Sequence, residues 1–347
     1  MTEAAEVDTR GATIALLARK AVWLAPFAAA VAYPFLLKGF SLAVTRPISG
    51  LDLGMAAILL VAAVATPLSG LAWATRLGQG GAFTAFERCA RRLACFAVAA
   101  PPLFVFTGVA GGLIGSPLAD ELTWVGFWAI LLVLTFMGSS EARPATFPPS
   151  MRVWRVAHGI SATLILLFVG FHLANHLTGW LGETTHRAMM ETGRTLYRMP
   201  AVEAGLVGLL LFQAVSGMRL AWVRSADRQD GYGAVQLLSG VYLFAFIFTH
   251  LTSALVSARW IRGIETDWAW ATGAPDGLLL DDWNIRLLPH YLLGSFFVLA
   301  HLASGLRQVL LAHGVSGGQA NRIWFAGLFC SALVAAFIVL ALVGGRI

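Results

Sequence analysis

Nine apolar runs order this chain, near 21–43, 54–75, 93–114, 122–138, 156–179, 202–223, 236–258, 288–311 and 324–344. A helix needs about 20 apolar residues, at about 1.5 Å rise each, to cross the hydrocarbon of a bilayer. Each run comes close to that length, so membrane helices are expected. The expected fold class is all-α: a polytopic membrane protein with about nine transmembrane helices. Composition agrees, with 58% hydrophobic and only 12% charged residues, where soluble domains carry about 25% charged. A soluble enzyme, a disordered chain and a nucleic-acid binder are thereby excluded. The net charge of +6 comes from arginines at the ends of the apolar runs, where lipid headgroups are their natural partners.

The runs fall into two sets. Residues 1–138 form a four-helix membrane domain without histidine, 139–155 a polar, Pro-rich linker, and 156–347 a five-helix domain. The first twenty residues read as a cytoplasmic tail, because no cleavage site of small residues follows them. With the N-terminus inside, 15 of the 24 basic residues lie on inner segments, and the outer stretch 259–287 is acidic. That bias places the protein in the inner (cytoplasmic) membrane with its N-terminus cytoplasmic. Small-residue pairs recur at Ser69-Gly70, Ser216-Gly217 and Ser304-Gly305, which lets helix backbones approach closely.

All eight histidines (158, 172, 176, 186, 250, 290, 301 and 313) belong to the second half. Ionisable groups at membrane depth are costly, and they usually face a bundle interior and serve a function. His172 and His250 lie 16 and 14 residues into helices that rise from the same side, which puts both roughly 21–24 Å deep. Two level imidazoles on neighbouring helices suit axial ligation of a haem iron. The plainer reading is that each hydrogen-bonds a neighbouring carbonyl. Zinc fits less well, because no carboxylate or thiol stands at that level. His158, His290 and His313 sit near the ends of the apolar runs, where interfacial solvation is expected, and His186 falls in a polar outer stretch. His176, one turn beyond His172, is placed to meet a haem propionate or a quinone, or to be solvated by headgroups.

Several motifs follow one another in order across the second half. They are Arg155-Val156-Ala157-His158, Phe171-His172-Leu173-Ala174-Asn175-His176, the polar stretch from Thr185 to Glu203, Ser239-Gly240 through Thr249-His250, and Ala300-His301-Leu302-Ala303-Ser304-Gly305. Together they resemble the five-helix, di-haem cytochrome b membrane anchor of the succinate dehydrogenase/fumarate reductase family. Residues 1–138 have no counterpart in it. The resemblance implies that His172 and His250 share the outer haem. It also implies that the inner pair joins His301 to the position of Gln213, since Phe212-Gln213-Ala214-Val215-Ser216-Gly217 resembles the family's second-helix His-x-x-x-Gly. An amide is a poor replacement for imidazole on haem iron, so this second site reads as degenerate and one haem b is expected. Arg259 and Arg262 are candidates for the propionates, and His176 for a quinone.

The function expected is electron transfer between the quinone pool and a partner, a soluble redox subunit at the cytoplasmic face. Alternatives are a redox-sensing or scaffold protein with one haem or none, and a transporter, for which Pro101-Pro102 would break a helix. With no Cys cluster and no dinucleotide fingerprint, dehydrogenase chemistry would reside on another polypeptide, and quinone redox chemistry is the most this chain would carry. Reporter fusions in the 224–234 loop should read cytoplasmic and those in 265–282 external. Reversed readings would invert the topology.

Overall fold

The computed structural model describes residues 23–45, 49–76, 82–137, 142–144, 150–226 and 229–347. The first half contains α1 (Ala25–Val44), α2 (Gly50–Arg76), a three-residue strand β1 (Ala82–Thr84), α3 (Ala85–Ala97), α4 (Ala100–Ile114) and α5 (Asp120–Phe136). Strand β2 (Ala142–Pro144) pairs antiparallel with β1. The second half has α6 (Met151–Leu177), an amphipathic α7 (Glu183–Tyr197), α8 (Pro200–Arg224) and α9 (Gly231–Leu251). A π-helical stretch, Thr252–Ile261, continues α9, and a short α10 (Trp268–Thr272), α11 (Leu287–Ala312) and α12 (Gly317–Leu342) complete the chain. The expected cytoplasmic tail and about half of the expected linker, 139–141 and 145–149, lie outside the described residues.

Seven of these helices are long and apolar enough to cross a bilayer, which is the build of a multi-pass membrane protein. Leu164 and Leu167 on α6, and Phe325 and Phe329 on α12, stand exposed, as lipid-facing side chains do. The run at 93–114 is not one straight span. It is divided between α3 and α4, which meet at a 74° bend. Pro101 and Pro102 at the start of α4 explain the break: proline lacks the N–H a helix needs and is tolerated only in the first turn. Counted as one span, the bent pair brings the total to eight. Helix α5 has 17 residues and rises about 26 Å, short of a hydrocarbon core of about 30 Å.

Helix α9 is central. It packs on α8 and α11 within its own half and on α2, α3 and α4 of the other. Each of the three larger hydrophobic clusters accordingly draws on both halves. One joins Cys95, Val98 and Ala99 to Leu237, Leu238 and Tyr242. Another joins Trp124 and Trp128 to Ile285 and Leu288. Close backbone approach needs glycine at Gly70, where a Cβ would stand 2.6 Å from the Ala94 carbonyl oxygen.

A polar clamp ties the halves together. Arg286, 7% exposed, donates to Asp120 Oδ2 at 2.6 Å, and its guanidinium also covers the rings of Phe104 and Trp283. Asp120 sits in the first turn of α5, where the helix dipole favours an anion. Asp120→Ala would leave Arg286 buried without a counter-charge, a loss of roughly 3–5 kcal/mol. Thermal unfolding of the detergent-solubilised variant should show a clearly lowered midpoint, and an unchanged midpoint would deny the clamp its role.

Candidate functional site

Helix α6 packs on α7, α8 and α12 but is not among the helices packed closely on α9 or α11. It meets those two through imidazoles. His172 of α6 faces His250 of α9 with ring centroids 5.9 Å apart and planes at 74°. His158 of α6 faces His301 of α11 at 6.3 Å and 84°. His158 and His172 are 14 residues apart, close to four full turns, and so share one face of α6, about 21 Å apart along it.

Each ring of the first pair is backed by a phenylalanine one turn earlier. Phe168 stacks on His172 at 5.6 Å and 19°, and Phe246 stacks on His250 at 5.6 Å and 11°. Residues four apart on a helix are surface neighbours, so the pattern Phe-x-x-x-His was readable in the sequence and was missed. His176 packs edge-on against His172 at 4.8 Å, and its buried Nδ1 has no hydrogen-bond partner in the structure. His290 was expected at an interface. It is instead 2% exposed, because α9 packs against the first turn of α11: the Phe246 ring lies 4.5 Å away and Tyr242 donates to the His290 carbonyl at 3.2 Å. His313 is exposed at the end of α11, as expected.

The second pair departs from the sequence reading. Gln213 does not face His301. Its amide donates to the His158 carbonyl and to Ser161 Oγ, both at 2.7 Å, and so ties α8 to α6. His158 was expected at a helix mouth, but α6 starts at Met151, ahead of the apolar run, and carries Arg152 and Arg155 in its first two turns. Long arginine side chains reach back to the interface, so the helix begins sooner than hydropathy suggests and His158 lies two turns inside it.

The propionate candidate Arg259 is engaged by Glu203 in the first turn of α8. Arg262 lies instead beside α4, with a guanidinium nitrogen 3.5 Å from where a Cβ on Gly112 would be.

His186 corrects another expectation. Rather than lying in a solvated stretch, it is on the inward face of α7 and 2% exposed. Its Nε2 is 3.1 Å from Asn175 Nδ2, and its ring is 4.6 Å from Trp268 and 5.7 Å from His176. The amphipathic pattern of α7, with His186 and Met190 on its buried side, carried this signal.

The donor set suits a group that brings most of its own ligands. Among the described residues no three of His, Cys, Asp and Glu converge on one point, as a metal held by protein alone would require. Paired imidazoles are what a haem iron takes from a protein. Each pair brings imidazoles of two different helices to 5.9 and 6.3 Å, ring centre to ring centre. No family model, no curated protein and no solved structure matches this chain.

Burial holds the His186 imidazole down at about 4, Arg194 pushes the same way, and Asp267 and Glu183 oppose them. An unfolded histidine titrates near ~6.5, so the stability that His186 lends to the docking of α7 is complete above that pH. It is lost as pH falls toward 4. Hydrogen-exchange protection of 183–197 should therefore drop between pH 7.5 and pH 5, and much less so in His186→Gln. The same drop in the variant would remove His186 as its cause.

Proposed function

We propose that this chain is a haem b protein of the membrane that transfers electrons between the quinone pool and a partner. The observation that carries the reading is the pairing of His172 with His250, two intramembrane imidazoles on different helices with ring centres 5.9 Å apart. The ordered resemblance of the second half to di-haem cytochrome b anchors supports it.

In this reading His172 and His250 would hold the haem iron, while Phe168 and Phe246 fix their ring planes and keep the surroundings apolar. Bound haem supplies a one-electron couple whose potential follows from axial ligands, hydrogen bonding and burial. His176, one turn above the pair with an unpartnered Nδ1, is the group placed to exchange a proton with a quinone. The soluble redox partner docks at the cytoplasmic face, with the N-terminus inside. The protein then belongs to the inner membrane, and dehydrogenase chemistry lies on the partner.

Transport is a second reading, and the 74° break between α3 and α4 is the observation that favours it. It makes no use of the paired imidazoles in the other half, so the two readings separate optically.

A reduced-minus-oxidised spectrum of the purified chain should show a low-spin haem b. His172→Ala and His250→Ala should each lower haem content by one equivalent per chain, and His186→Ala should leave it unchanged. Undiminished haem in both of the first two variants would remove the ligand assignment, and a wild-type chain without haem would remove the electron-transfer reading.

A further inference from the structure

We propose that the chain holds a second haem between His158 of α6 and His301 of α11, each imidazole set in its own Ser-Gly cradle. The inference rests on the haem reading above but names different ligands, and neither the spacing of the sequence nor the family pattern assigns His158 this role.

Two cradles of one design hold the rings. His158 Nδ1 is 2.8 Å from Ser216 Oγ on α8. The Ser216 hydroxyl donates its own hydrogen to the Phe212 carbonyl at 2.6 Å, so toward His158 it accepts. His301 Nδ1 is 2.9 Å from Ser239 Oγ on α9, and that hydroxyl donates to the Val235 carbonyl, again at 2.6 Å. In both cases Nδ1 carries the proton and Nε2 keeps a lone pair. That is the tautomer an iron ligand needs, set by the hydrogen bond on the other nitrogen.

The residue after each serine is glycine, and for a steric reason. A Cβ on Gly217 would stand 3.2 Å from His158 Cε1, and a Cβ on Gly240 would stand 3.2 Å from His301 Cε1. Serine thus fixes the tautomer while glycine admits the ring.

Depth permits the pairing. His158 is about 10 Å from the start of α6 and His301 about 16 Å from the end of α11, a difference of about one helical turn. The rings meet at 6.3 Å. Gln213 occupies the family's ligand position, but by holding the His158 carbonyl it positions α6 rather than binding iron. Gln236 Nε2 lies 3.2 Å from His301 Nε2. It also lies 3.4 Å from His301 Nδ1, so the amide sits over the ring between the two nitrogens, and this flexible side chain must swing aside on binding.

The test is a pyridine haemochrome assay on the purified full-length chain, with redox titration of the same samples. Wild type should carry two haems with two midpoint potentials. His158→Ala and His301→Ala should each retain one, the His172–His250 haem, whose presence shows that the bundle has folded. Ser216→Ala, which removes only the Nδ1 acceptor, should shift one midpoint and leave the other in place. Two haems surviving in either histidine variant, or one wild-type haem untouched by both, overturns the proposal and leaves the His172–His250 reading standing. No haem in wild type ends both readings. A single wild-type haem lost with His158→Ala but kept in His172→Ala would sink the other site and keep this one. If His158→Ala loses both haems, His158→Gly expressed with added imidazole decides. Recovery of the second haem supports the site, and no recovery overturns it.

Discussion

An imidazole inside a bilayer has two nitrogens to satisfy and no bulk water to satisfy them. That constraint organises the second half of this protein. Where Nδ1 finds a partner within the spans, it is a serine hydroxyl on the neighbouring helix, and that hydroxyl is itself anchored to a carbonyl one turn back. Where no such partner exists, as at His172 and His250, aromatic faces from the same helix hold the ring. The helices then settle around these imidazoles. Helix α6 stands against α8 through the His158–Ser216 and Gln213 hydrogen bonds and faces α9 and α11 through its histidine rings.

The first half has no histidines. It packs on α9 through α2, α3 and α4. Thr249, next to His250, donates to the Pro102 carbonyl at 2.9 Å. Pro102 lies in the first turn of α4, just beyond the 74° bend. The start of α4 thus lies against α9 beside His250. The Asp120–Arg286 clamp acts similarly at the start of α11, the helix that carries His301.

The polar covering at the end of the bundle that bears His176 is also built from several elements. Arg194 of α7 bonds to Glu265 and to the Thr266 carbonyl, while Arg259 pairs with Glu203. The Arg194 bonds seat α7 over His176, so that His186 on its inner face is buried although it lies outside every span. Surface ion pairs of this kind contribute little individually. The burial of Met190, His186 and Trp268 beneath them stabilises the covering more than the ion pairs do.

The amino-acid sequence by itself determined the solvent, the helical class and the half that holds the imidazoles, because apolar run length and side-chain ionisation are local properties. It also set the level of His172 with His250, since rise per residue is constant along a helix. It misjudged His158, because hydropathy marks where lipid begins and not where the helix does, and α6 starts five residues before its apolar run. The bend at Val98-Ala99 was legible only as a proline pair, without its angle. Which imidazole faces which, that Gln213 turns to α6 and not to His301, and that His186 is covered were decided by tertiary structure alone. The reason is physical: facing depends on the rotation and tilt of each helix, and those are set by packing between segments far apart in sequence, such as Ser239 beneath His301 and Gly217 beneath His158.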